Sequence, residues 1–181
     1  EKNVISDIRK VIARRMSESN EIPSVTISSK IDLTASNAFQ ASLLPSWRKE
    51  KMRPTFQDII VKAVAIALKE HKIINSHFVN DEIITFEEIN LGIAYATDTG
   101  LVVPVIKNAD NKSIIDIAKN IRQFGKTEKT GFSAEDFNGG TFSITSLNST
   151  VIDTFNPLLN LPQVGILGID RTSEEVFFDS G

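Results

Sequence analysis

Apolar positions along the chain follow two periods, and the switches between them outline the elements. Ile8, Val11, Ile12 and Met16 recur at helical spacing behind Ser6 or Asp7, either of which can cap, while Arg9, Lys10, Arg14 and Arg15 spread over the other positions. This predicts a basic amphipathic helix. After Pro23 the period drops to two, and Val25, Ile27, Ser29 and Ile31 predict a half-buried strand. Residues 32–44 then predict a weaker helix that Pro45 ends. The widest apolar face comes next, with Phe56, Ile59, Ile60, Ala63, Val64, Ala67 and Leu68 behind Thr55. Asp58 stands three residues after that threonine, as in a capping box.

Three apolar stretches follow, 82–86, 89–96 and 101–106, with Asp98-Thr99-Gly100 as the turn between the last two. They predict antiparallel sheet. Ser113 opens a further amphipathic helix through Ile114, Ile117, Ala118, Ile121 and Phe124, and Ser133 with Asp136 repeats the capping spacing before the Gly139-Gly140 turn. Two more strands are predicted over 141–147 and 163–169. Val176-Phe177-Phe178 resembles the opening of another strand, which leads us to expect further sequence beyond residue 181. No internal repeat, low-complexity tract or linker interrupts the pattern, so the expectation is one α+β domain over 1–181.

Composition narrows the chemistry. With 181 residues and 41% hydrophobic content, the chain is long enough to bury about 70% of its unfolded surface. Having no cysteine excludes disulfides, a thiolate nucleophile and cysteine-ligated metal sites. A net charge of −3 provides no basic face for nucleic acid. The longest apolar runs, 63–68 and 101–106, fall far short of the roughly 20 residues that span a bilayer. Glu1-Lys2-Asn3-Val4 lacks the regions of a secretion signal, which makes the cytosol or an organelle matrix the expected setting.

Generic site patterns add little. His71 and His77 are six residues apart, a spacing that suits no helical metal pair, and both are expected at the surface. Asp81, Glu82, Glu87 and Glu88 read as a solvated rim, so no metal site is expected. Gly92, Gly100, Gly139 and Gly140 do not form a nucleotide fingerprint.

Longer strings are more specific. Asn138-Gly139-Gly140-Thr141-Phe142-Ser143-Ile144-Thr145-Ser146-Leu147, followed by Phe155-Asn156-Pro157-Leu158-Leu159-Asn160-Leu161-Pro162-Gln163-Val164-Gly165-Ile166-Leu167-Gly168, resembles the catalytic domain of dihydrolipoamide acyltransferases. These are core subunits of 2-oxo acid dehydrogenase complexes. The resemblance extends in order through Ile8–Met16, Thr55-Phe56, Val61-Lys62-Ala63-Val64, Asn90–Ala94 and Gly100–Ile106, and so covers essentially the whole chain.

The resemblance implies a fold like that of chloramphenicol acetyltransferase, a mixed sheet packed with helices, and assembly as a homotrimer within a larger core. It implies acyl transfer between a dihydrolipoyl thiol, carried on a separate lipoyl domain, and coenzyme A. Dehydrogenase and dihydrolipoamide dehydrogenase subunits are the implied partners. A thiol with a pKa of about 8.5 is mostly protonated at pH 7, so attack needs a general base, which in the family is a histidine. The developing oxyanion needs a hydrogen-bond donor, and a hydroxyl serves in the family. That hydroxyl matches Thr145, with Ser146 as its neighbouring alternative, and the implied coenzyme A contacts are Thr55, Thr145, Ser146 and Gly168.

The family's His-x-x-x-Asp-Gly motif does not occur in these 181 residues, and neither His71 nor His77 matches it. Gln40 and Ala96 stand where the family often has an arginine and an aspartate, and Arg9, Lys10, Arg14 and Arg15 could meet phosphates or simply face solvent. Two other readings stay open. One is a noncatalytic homologue that only builds the scaffold, which the missing motif would permit. The other is a free-standing acetyltransferase of the chloramphenicol type.

Overall fold

A computed structural model describes residues 7–97, 100–147 and 151–176. The first helix, α1 (Asp7–Asn20), carries the Arg14–Glu18 ion pair at 3.6 Å on its outer face. It is held to the body in part by buried Ser19, whose Oγ donates to the Leu159 carbonyl at 2.8 Å. The cap expected at Ser6 lies outside the described residues.

The strand expected at 25–31 does not form. Val25 and Ile27 are 89% and 91% exposed, and Ile31 is also exposed. An alternating segment becomes a strand only where another strand supplies its hydrogen bonds, and none of the described residues of this chain pairs with it.

The second helix, α2 (Thr34–Trp47), begins where the Thr34 N–H donates to Asp32 Oδ1 at 2.8 Å. Contrary to expectation, Pro45 does not end it. Proline removes only its own N–H, while the Arg48 N–H still reaches the Leu44 carbonyl. Trp47, 4% exposed, anchors the last turn in the core.

Both capped helices form as their sequences predict. In α3 (Phe56–Glu70) the two halves of the Thr55/Asp58 capping box are present, and in α4 (Ile114–Thr130) Ser113 Oγ accepts from the Asp116 N–H. A 3₁₀ turn over Ala134–Phe137 carries the Ser133/Asp136 box.

The strands are β1 (Ser76–Val79), β2 (Glu82–Thr85), β3 (Leu91–Ile93), β4 (Tyr95–Thr97), β5 (Gly100–Val102), β6 (Val105–Ile106), β7 (Phe142–Ser146) and β8 (Ile166–Ile169). The central sheet has the order β6-β3-β7-β8, with β6 antiparallel to β3 and the other pairs parallel. It is mixed, as the α+β expectation requires.

The antiparallel sheet expected over 82–106 forms between its last two stretches, through β3 with β6 and β4 with β5, while the first stretch pairs elsewhere. The 82–86 stretch pairs with β1, where the sequence pattern predicts no strand, in a separate hairpin turned by Asn80 and Asp81 at φ 50° and 63°. Two consecutive left-handed residues, both of types that tolerate that region, make the tight turn. Stretch 89–96 divides into β3 and the start of β4. Stretch 101–106 divides at Pro104, which has no N–H for a ladder but whose carbonyl accepts from Ile93 at 2.9 Å. β4 and β5 pair antiparallel as expected, although Asp98 and Thr99 of the turn lie outside the described residues.

Alternation on β7 divides the sheet's two faces. Phe142 and Ile144 join Leu91, Ile93 and Ile106 in a core closed by Val61, Ala65 and Leu68 of α3 and by Ile117 and Phe124 of α4. Ser143 and Thr145 therefore face the other way.

Candidate functional site

The opposite face of β7 is narrow and polar. A Cβ on Gly92, which pairs with Ser143, would sit 2.8 Å from Val103 Cγ1 and 3.0 Å from Ser143 Oγ, so only glycine fits there. Ser143, itself buried, donates from Oγ to Gln163 Oε1 at 2.7 Å and accepts from Asn160 Nδ2 at 3.3 Å. Gln163 Nε2 in turn donates to the Gly140 carbonyl at 3.1 Å. These bonds fasten the 155–163 segment across the strand. Nothing in the sequence predicts a role for Asn160 or Gln163 beyond the motif string that contains them; the only signal for them is amide side chains within an otherwise apolar stretch.

Two residues further along β7, Thr145 pairs with Gly168 of β8, and Ser146 pairs with Ile169. Thr145 and Ser146 are both half-buried. Gly168 leaves a space that protein fills: a Cβ there would lie 3.3 Å from the Pro157 ring and 3.4 Å from Phe155 Cζ. The structure thus brings Thr145, Ser146 and Gly168 together, with 155–157 laid over Gly168 beside Thr145.

Thr55 stands apart, at the start of α3 in the helical layer. Among the described residues no hydrogen bond joins it to Thr145, Ser146 or Gly168. Its N–H donates to Asp58 Oδ2 at 2.7 Å, and its Oγ1 accepts from the Asp58 N–H at 3.4 Å. Asp58 is fully buried and takes a two-pronged contact from Arg122, Nη1 to Oδ1 at 2.9 Å and Nη2 to Oδ2 at 3.0 Å. Gln40 also supports this corner, donating from Nε2 to the Pro54 carbonyl at 2.9 Å, whereas Ala96 is exposed on β4.

Neither histidine is placed to serve Thr145. His71 is exposed at the C-terminus of α3. His77, expected at the surface, is half-buried instead, with Nε2 3.0 Å from the Gly140 carbonyl and its ring edge-on to Phe86 at 4.6 Å. Gly140 precedes Thr145 by five residues, which along a strand is about 16 Å. Arg9, Lys10, Arg14 and Arg15 are exposed on α1, and Asp81, Glu82, Glu87 and Glu88 form the exposed rim expected of them, with Glu87 paired to Lys72 at 2.7 Å.

An open apolar hollow of ≈ 200 Å³ lies between Val64, Ala67 and Leu68 of α3, His71 just after it, and Phe142 and Leu167 of the sheet; neither Thr145 nor Thr55 lines it. No helix among the described residues is long and apolar enough to cross a membrane.

Comparison with known proteins matches this arrangement over its whole length. The family model of the 2-oxoacid dehydrogenases acyltransferase catalytic domain matches residues 1–181. The dihydrolipoyllysine-residue acetyltransferase component of the acetoin cleaving system of Bacillus subtilis is 38% identical over 168 residues, which are 91% of this chain and 42% of that protein. The lipoamide acyltransferase component of the branched-chain alpha-keto acid dehydrogenase complex of the same organism is 39% identical over 181 residues, 98% of this chain and 43% of the relative. The cubic core of the pyruvate dehydrogenase multienzyme complex superposes with a TM-score of 0.92 at 28% identity, covering 100% of this chain and 76% of that one. The chain spans about two fifths of the length of the curated relatives it matches.

Proposed function

From the premise that the chain belongs to the family of 2-oxoacid dehydrogenase acyltransferase catalytic domains, we propose that it transfers an acyl group between a dihydrolipoyl thiol and coenzyme A. The observation that carries the reading is Thr145: a hydroxyl near the end of a parallel strand, half-buried, on the face away from the hydrophobic core and beside the 155–163 segment.

In this reading the attacking sulfur of one thiol forms a bond to the thioester carbonyl carbon as a base takes its proton. The oxygen becomes an oxyanion, to which Thr145 donates; Ser146, next on the strand, faces the opposite side with Ile144 and does not share that role. Collapse expels the other sulfur as a thiolate, which regains the proton. A preorganised donor of this kind is worth about 10²–10³ in rate. The base is neither His71 nor His77, and the proposal assigns it to a histidine outside residues 1–181. Coenzyme A would contact Thr55 as well as Thr145, Ser146 and Gly168.

The chain would work as a homotrimer within a larger core, with lipoyl domains, 2-oxo acid dehydrogenase and dihydrolipoamide dehydrogenase as partners, in the cytoplasm or a mitochondrial matrix. What supports a second copy is the exposed alternation of Val25, Ile27 and Ile31, a surface that a neighbouring subunit would cover. The acyl group is to be read from experiment, because related chains of equal similarity carry names for different acyl transfers.

The test is transfer from acetyl-, succinyl- and branched-chain acyl-CoA to dihydrolipoamide by the full-length protein. Turnover with one of them supports the reading. A correctly folded, assembled protein that turns over none overturns it in favour of a scaffold.

A further inference from the structure

We infer that Arg122 is a positioning residue for coenzyme A, acting through Asp58 on Thr55; this rests on the coenzyme A contact proposed above for Thr55. Both terminal nitrogens of the guanidinium are committed. Nη1 donates to Asp58 Oδ1 and to the Ala118 carbonyl at 3.0 Å, and Nη2 donates to Asp58 Oδ2 and to the Arg53 carbonyl at 2.7 Å. One side chain from α4 therefore ties together its own helix, the loop before α3 and the first turn of α3. Lysine cannot reproduce a planar two-pronged contact of this kind.

The consequence falls on Thr55. Asp58 Oδ2, held from one side by Arg122, accepts the Thr55 N–H from the other. Because Thr55 Oγ1 accepts from the Asp58 N–H, its own hydrogen is left to donate outward, and Thr55 is exposed. An oxygen acceptor on coenzyme A, an amide carbonyl or a phosphate, is the chemistry that hydrogen fits. A helix cap alone needs only the threonine and the aspartate; the buried carboxylate gripped from a second helix fixes where the hydroxyl stands relative to the rest of the molecule.

The test is steady-state kinetics of the full-length protein with the acyl group selected above, reading the KM for coenzyme A separately from kcat and from the KM for dihydrolipoamide. Thr55→Ala is expected to raise the KM for coenzyme A about tenfold, the worth of one hydrogen bond. Arg122→Lys is expected to raise it comparably with the other two parameters within about twofold, and Thr55→Ala/Arg122→Lys to be no worse than Thr55→Ala.

An Arg122→Lys protein with a normal KM for coenzyme A, or one that worsens further on the Thr55→Ala background, overturns the positioning role while leaving the Thr55 contact standing. A normal KM in Thr55→Ala overturns the contact itself, and this inference with it. Should Arg122→Lys not fold, the charge-free pair Asp58→Asn/Arg122→Met carries the same expectation, and an unchanged KM there overturns it equally.

Discussion

Thr145 stands directly across the parallel ladder from Gly168, and the volume Gly168 leaves empty is occupied by the ring of Pro157. The glycine lets the 155–157 segment lie flat on the sheet beside the threonine.

Gly168→Ala tests this packing. The added Cβ would stand 3.3 Å from two Pro157 ring carbons and 3.4 Å from Phe155 Cζ, atoms that cannot swing aside as a flexible chain end would. The expected cost is about 1–3 kcal/mol of stability, as for other overpacked sites. It is checked by the midpoint of urea unfolding, and an unchanged midpoint would show that the segment yields freely.

Thr145→Ala is expected to lower turnover on dihydrolipoamide and coenzyme A by about 10²-fold with assembly intact. Thr145→Ser should keep most of the activity. Wild-type turnover in the alanine variant would remove Thr145 from the mechanism.

Gln163→Met retains volume but takes away both amide bonds. Ser143 Oγ loses its acceptor at 2.7 Å and the Gly140 carbonyl loses a donor at 3.1 Å, with both Ser143 and Gln163 buried. Orphaning buried polar groups is expected to cost about 1–3 kcal/mol, measured by chemical denaturation. A stability equal to wild type would mean that solvent satisfies Ser143.

Tyr95 gives the fold an alkaline limit. Burial, then the negative charge of Glu128 and the bond to it, pushes the phenol above its ordinary value of 10.0. The unfolded tyrosine ionises first as pH rises, so above about pH 10 the unfolded state holds fewer protons and the folded state loses stability. Below that pH this group contributes no slope. Tyr95→Phe should flatten the fall in unfolding free energy above about pH 10, and an identical slope in both proteins would assign that fall to other groups.

Much of the helical layer was legible because its signals are local. Thr55 with Asp58, Ser113 with Asp116 and Ser133 with Asp136 act across three residues, and each forms the cap its spacing predicts. Strand partners were not legible, since pairing joins residues far apart: β2 was recognised as a strand, but its partner β1 was missed despite the Asn80-Asp81 turn between them. Pro45 misled because a proline in a final turn sacrifices one bond, which the burial of Trp47 offsets.

Taken alone, the amino-acid sequence determined the α+β class, the capped helices and, through its motif strings, the family and Thr145 as the residue to question. These follow from short-range periodicity, side-chain-to-backbone reach and residue identity, all of which are written in order along the chain. Only the tertiary structure decided that Thr145 faces Gly168, that Gln163 and Asn160 hold the segment over Ser143, that His77 is committed to Gly140, and that Arg122 grips Asp58 from 64 positions away. Each of those contacts joins separate elements, and their meeting depends on how sheet and helices pack, which no local pattern encodes.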